Sequence, residues 1–564
     1  MRPVQRRPVT GRRAAVARPV AAVATGLAAL LVVAALTVPE RLDELAPAAF
    51  LRLPLELVVY IAVVLALPDR LRRVRTVLAV AGGLVLALSA VFKVLDLGFR
   101  EALNRPFDPL IDWRYAGSFV ETAQDSVDGR GGTLLLLGAA LALVALLVLV
   151  PLAVLRLTRV ALRNRRAAVP TVAVLAVSWL VLAGLQVQGA AGPLASRDTA
   201  RYVYGQVDRI PGELRDRREF LAAARTDPLR EVGPDRLLTG LRGKDVVVVF
   251  VESYGRVAVE GSSFSPGIVG VLDEGTARLE RSGFASRSAF LTSPTYGAIS
   301  WLAHATLQSG LWIDSQQRYD VLVTSPRDTL SSLFERAGWR TVGMAPANDR
   351  DWPQGEFYGF DQFYDSRNVG YVGPRFGYPT MPDQYTLDAF HRLELAPSPR
   401  PHVMAEIDLI SSHAPWSRVP RLVDQAAVGD GSVFEGMPEQ LPSAADIWPE
   451  PERVRASYGS AIEYSLSALV QFVTTYGDDD LVLVVVGDHQ PATIVSGPDA
   501  GYDVPVAVVA RDPAVIDRIG SWGWDRGLRP RPDAPVWRMD EFRDRFVAAY
   551  SSSGQTGTRP VGAR

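Results

Sequence analysis

Asp245–Val251 reads DVVVVFV and runs straight into Glu252-Ser253-Tyr254. An apolar run of this length, without alternation, is the pattern of a strand covered on both faces, as parallel strands of α/β domains are. Comparable runs recur at Arg340–Met344, Val403–Leu409, Leu481–Val486 and Val504–Val509. Helix-like stretches such as Thr329–Ala337 and Val454–Thr475 lie between them. The alternation predicts an α/β domain with a mostly parallel sheet. Ligands of such sheets gather beyond the carboxyl ends of the strands, so the polar residue after each run is the one to inspect. Glu252 follows the first run, His413 follows the third in Ser411-Ser412-His413-Ala414-Pro415, and Asp488-His489 follows the fourth in Gly487-Asp488-His489-Gln490-Pro491.

Upstream the composition changes. Before about residue 195 the chain is built of Ala, Leu and Val runs separated by arginine clusters. Pro19–Val38 carries no charge and is long enough as a helix to cross a hydrocarbon core of about 30 Å. It exceeds the apolar region of a cleavable signal, so retention is expected. Further candidate spans are Leu53–Pro68, Thr76–Phe92, Gly131–Leu155 and Ala167–Gly192, which makes five. Arginines alternate with them: Arg2, Arg6, Arg7, Arg12, Arg13 and Arg18 before the first, Arg70, Arg72, Arg73 and Arg75 between the second and third, Arg156, Arg159, Arg163, Arg165 and Arg166 between the fourth and fifth. Cytoplasmic loops are enriched in Lys and Arg, so the N-terminus is expected in the cytoplasm and everything after the fifth span outside. The outer loop 96–132, with Phe99, Arg105, Phe107, Asp112, Trp113 and Tyr115, reads either as an interfacial aromatic belt or as a wall of a lipid-substrate site. The expected division is a transmembrane domain 1–192, a helical connector 193–240, a catalytic domain 241–550 and a tail 551–564.

The 564 residues contain no cysteine, which excludes disulfides, thiolate metal sites, a cysteine nucleophile and a cysteine-derived formylglycine. Any metal must be held by oxygen and nitrogen. The net charge of -1 lacks the basic excess of a nucleic-acid binder. Between the first and second runs, Ser293-Pro294-Thr295-Tyr296-Gly297-Ala298-Ile299 leads into a helix-like stretch from Ser300 to Gln308 that stops at Gly310. Ser300 therefore sits at or near a helix N-terminus, where free N–H groups and the positive dipole end favour an anionic phosphoryl oxygen. The plainer reading is a helix cap, and Thr295 is a rival hydroxyl.

Taken together, in this order, these residues resemble the alkaline phosphatase–sulfatase superfamily, and within it the lipoteichoic acid synthase-like branch with its phosphoethanolamine transferase relatives. The resemblance covers nearly the whole chain. It implies a membrane-anchored phosphotransferase or hydrolase with one divalent metal ion, Mn2+ or Zn2+, on Glu252, Ser300, Asp488 and His489, and Ser300 as nucleophile. Ser stands where that branch has Thr. It implies substrate contacts by His413 and, through Asn348-Asp349-Arg350, by Arg350, although the Trp of the family's Trp-Asn-Arg is lost. The implied partners are a membrane lipid donor and an envelope glycan or polymer acceptor. Two other functions compete. A sulfatase would need a Cys/Ser-x-Pro-x-Arg signature, whereas Leu302 and His304 occupy the Pro and Arg places. A non-catalytic membrane sensor or assembly protein would have no need of the acid, the hydroxyl, the Asp-His pair and His413.

Overall fold

The computed structural model describes residues 11–42, 44–109, 112–115, 129–190 and 192–552. The chain forms two compact units, Met1–Arg100 with Arg105–Arg215, and Glu101–Asn104 with Asp216–Arg564.

The first unit is helical: α1 (Gly11–Thr37), α2 (Leu55–Ala66), α3 (Arg72–Leu103), α4 (Gly129–Arg163), α5 (Arg165–Gly184) and most of α6 (Asp198–Arg225). Among the described residues four helices, α1, α3, α4 and α5, are long and apolar enough to cross a membrane, which corrects the expected five. The second candidate fails on length. Its helix has 12 residues, about 18 Å at 1.5 Å per residue, well short of a hydrocarbon core. Pro54 sets its start, and Leu67, which precedes Pro68, takes extended backbone and ends it. α2 is apolar throughout except for Glu56, whose carboxylate accepts from the Ala200 N–H at 2.8 Å. In the 96–132 loop, Arg105 grips buried Asp112 with two hydrogen bonds of 2.7 Å, and Phe107 meets Phe99 edge to face at 5.1 Å. Residues 110–111 and 116–128 of that loop, Arg2, Arg6 and Arg7, and residues 553–564 of the tail lie outside the described residues.

The second unit is built on a nine-stranded sheet: β1 (Asp245–Val251), β2 (Ala285–Thr292), β3 (Arg340–Ala345), β4 (Gln362–Asp365), β5 (Val403–Leu409), β6 (Leu481–Gly487), β7 (Asp503–Ala510), β8 (Asp525–Arg526) and β9 (Val536–Arg538). The order is β8-β2-β7-β6-β1-β5-β3-β4, with β9 also on β2. β6, β1, β5, β3 and β4 are mutually parallel. β7 is antiparallel to both its neighbours, so its apolar run belongs to a mixed edge rather than to the parallel centre. β1 shows why the run is continuous. Val247, Val249 and Val251 enter a core with α7 (Ser265–Arg281) and the long helix Pro451–Tyr476, while Val246, Val248 and Phe250 enter a second core on the opposite face. Each fully buried valine of this kind contributes about 1.5–3 kcal/mol. Because the five strands from β6 to β4 point the same way, the residues following β1, β5 and β6 emerge at one sheet edge.

Candidate active site

Glu252 follows β1, and Asp488 and His489 follow β6, the strand paired to it in register from Leu481 opposite Asp245 to Gly487 opposite Val251. Gly487 has to be glycine here, since a Cβ would lie 1.9 Å from the Tyr254 carbonyl oxygen. All three side chains are buried, and one ligand atom from each lies within 4.8 Å of the others. Ser300 opens α8 (Ser300–Ser309) as its first residue, after Ile299. Its hydroxyl donates to Glu252 Oε2 at 2.9 Å and lies 3.3 Å from His489 Nε2. Thr295 takes no part, because its hydroxyl donates to the Ala298 carbonyl at 2.7 Å.

Two residues beside these groups are held in the left-handed region without being glycine: Ser253 at φ 57° and Ile299 at φ 71°. That conformation costs about 1–2 kcal/mol each, most of all for a β-branched isoleucine. At Ser253 the reason is visible. Its N–H donates to Asp488 Oδ1 at 2.7 Å, its hydroxyl to Glu252 Oε1 at 2.9 Å, and its carbonyl accepts from the Tyr458 hydroxyl at 2.8 Å. At Ile299 the turn delivers Ser300 to the helix start.

The donor atoms suit a divalent cation. Glu252 Oε1 and Asp488 Oδ2 lie 3.4 and 3.5 Å from His489 Nε2, beyond the range of N–H···O hydrogen bonds. Such separations are the edges of a tetrahedron around an ion with ligands at about 2.1 Å. Asp488 Oδ2 is buried without a hydrogen-bond partner, while Oδ1 accepts from the backbone N–H of Ser253 and of His489. The Nδ1 of His489 is 2.8 Å from the Gln490 carbonyl oxygen; donating there leaves Nε2 as a lone-pair donor. Burial opposes charge on all three groups. The His413 and His489 imidazoles and the Ser300 hydroxyl nevertheless hold Glu252 below its ordinary range. Burial and the neighbouring Glu252 push Asp488 up to about 8. A cation among the three removes that like-charge conflict.

His413 is carried to the same edge by the loop after β5, where the Ser412 hydroxyl donates to the Glu252 carbonyl at 2.6 Å. Its ring stacks on Tyr378 with centroids 3.6 Å apart. Asp383 anchors the loop, its Oδ1 accepting from Ile410 N–H at 2.8 Å and Ser411 N–H at 2.9 Å and its Oδ2 from the Ser465 hydroxyl at 2.6 Å. Burial outweighs these hydrogen bonds and raises Asp383 to about 6. A carboxyl raised on folding loses stability between its unfolded and folded pKa, so the wild type should weaken as pH climbs from 4 to 6. Asp383→Asn keeps the Oδ1 acceptor and removes the charge. It should gain about 1–3 kcal/mol over wild type above pH 6 and nothing below pH 4, in urea titrations at each pH.

Arg350 lies in the segment after β3, exposed, its guanidinium 3.4 Å from Asp349. A second group passed over in the sequence is His304, Glu406 and Asp408. The signal was there, two acids in an apolar strand at a spacing that puts both on one face.

No protein-family model and no curated protein matches the chain. Solved structures similar to it include the lipoteichoic acid synthase LtaP from Listeria monocytogenes, at 16% identity and TM-score 0.34 over 48% of this chain and 66% of that one. The phosphoglycerol transferase GacH from Streptococcus pyogenes, in complex with sn-glycerol-1-phosphate, matches at 12% identity and TM-score 0.33 over 61% of this chain and 91% of that one. The periplasmic domain of EptC from Escherichia coli, in complex with Zn, matches at 14% identity and TM-score 0.31 over 47% of this chain and 72% of that one. Each is a protein this chain is similar to; the residues of the site set the chemistry.

Proposed function

We propose that the chain is a membrane-anchored, metal-dependent phosphoryl-group transferase or phosphodiesterase whose nucleophile is Ser300, acting outside the cell on the headgroup of a membrane lipid. The observation that carries this reading is the Ser300 hydroxyl at a helix start, donating to Glu252 and touching His489. The Ser300 oxygen forms a bond to phosphorus as the ester bond to diacylglycerol breaks, and the serine proton, relayed by Glu252 Oε2, ends on the departing diacylglycerol oxygen. An acceptor hydroxyl of an envelope glycan or polymer, or water, then bonds to phosphorus as the bond to Ser300 breaks, and its proton returns the Ser300 hydroxyl. The positive end of α8 favours the charge that develops on the phosphoryl oxygens, and His413 and Arg350 serve to hold nonbridging oxygens. A divalent ion, Mn2+ or Zn2+, on Glu252, Ser300, Asp488 and His489 would supply a Lewis acid that withdraws charge from the serine and phosphoryl oxygens.

The reading requires the second unit to be outside, with the N-terminus in the cytoplasm. The arginine clusters support that placement provided the short α2 returns the chain to the cytoplasmic side. Intact cells given paired, charged aryl esters test both parts at once. They should cleave the phosphodiester in a chelator-sensitive way and leave the sulfate untouched, since Ser300 lacks the neighbours that formylglycine formation needs. Faster turnover of the sulfate, or phosphodiester cleavage only after lysis, would remove the reaction class or the topology respectively.

A further inference from the structure

His304 stands one turn along α8 from Ser300, and Glu406 and Asp408 alternate along β5. His304 Nδ1 lies 3.6 Å from Glu406 Oε1 and 3.4 Å from Asp408 Oδ1. These are again too long for hydrogen bonds and equal to ligand-to-ligand edges around an ion bound at about 2.1 Å. Asp408 Oδ1 is buried and makes no hydrogen bond, while Asp408 as a residue keeps partial access to solvent, a route by which an ion can arrive. Glu406 is buried, with the Gln308 amide on its Oε2, and the His304 ring stacks on Phe250 at 3.9 Å. Among the described residues no Lys or Arg pairs with either carboxylate.

A buried acid and a half-buried one side by side against one imidazole are expensive unless a charge of opposite sign joins them. Burial lowers His304 to about 3, which leaves its nitrogen as a neutral lone-pair donor, and raises both Glu406 and Asp408. Gln308 holds Glu406 and the stack on Phe250 holds His304, so two of the three donors are organised before any ion binds. We propose that His304, Glu406 and Asp408 form a second divalent-cation site, whose two carboxylates and one imidazole suit Mn2+ or Zn2+, that ties the nucleophile helix to the central sheet. It stands whether or not Ser300 transfers a phosphoryl group.

Full-length protein in detergent, equilibrated with Mn2+ or Zn2+ and desalted, should carry two ions per chain by elemental analysis. Asp408→Asn and Glu406→Gln should each carry one, Glu252→Ala one, and Glu252→Ala with Asp408→Asn none. One ion in the wild type together with an unchanged ion in Asp408→Asn would overturn the second site and leave the first intact. Should Asp408→Asn not fold, Glu252→Ala decides, because retention of one ion supports the second site and complete loss overturns it.

Discussion

Ser300→Ala is expected to lower phosphodiester cleavage by at least about a thousandfold while leaving the fold in place. The change removes one oxygen from a half-buried position, and alanine is at least as good as serine in the first turn of a helix. The helix itself is closed at its far end by Gly310 at φ 63°, which the substitution does not touch. What disappears is the donor to Glu252 and the oxygen that attacks phosphorus. Thr295→Ala is the control. Its hydroxyl serves only the turn through Ala298, so its loss costs about 1 kcal/mol of stability and little activity. Ser300→Thr should recover part of the rate, since it restores a hydroxyl at the same atom position. Kinetics on the three purified variants decide the matter, and full activity in Ser300→Ala with loss in Thr295→Ala would name the wrong nucleophile.

The α/β class and the placing of Glu252, His413 and Asp488-His489 at strand ends were legible because β1 and β6 are buried on both faces and read as unbroken apolar runs, and β5 reads as an apolar run broken only by Glu406 and Asp408. β2 was not legible, since Ser286, Arg287 and Ser288 interrupt it and it lies in the antiparallel part of the sheet. The antiparallel direction of β7 was hidden for another reason: composition reports burial and says nothing of strand direction. Span counting failed at Leu53–Pro68, where apolarity is high and prolines cut the helix to 12 residues. The contacts of Ser300 with Glu252 and His489 depend on the left-handed turn at Ile299, a residue whose type argues against that conformation. His304, Glu406 and Asp408 were not legible as a group because the acids lie within β5 rather than after it, and only the fold brings His304 of α8 beside them.

Asp488→Asn should cost the protein one bound ion and, with it, that ion's share of the metal-dependent rise in thermal stability. The two oxygens of Asp488 do different work. Oδ1 accepts from the backbone N–H groups of Ser253 and His489 at 2.7 and 2.6 Å, and an asparagine carbonyl can keep both bonds. Oδ2 is buried without a partner, 3.5 Å from His489 Nε2, and an amide NH2 put there has no lone pair to offer a cation. The substitution also removes a buried negative charge beside Glu252, so the metal-free protein should be at least as stable as wild type. Adding ion at a thousand times its dissociation constant stabilises a one-site protein by about 4 kcal/mol. Thermal melts with and without Mn2+ or Zn2+ should therefore separate widely for wild type and much less for Asp488→Asn, with the two apo curves close together. Asp488→Ala should do worse in both conditions, because it drops the two backbone hydrogen bonds as well as the ligand. Full retention of metal by both Asp488→Asn and Glu252→Ala would mean that these carboxylates hold no cation, and the reading of Ser300 as a metal-assisted nucleophile would go with them.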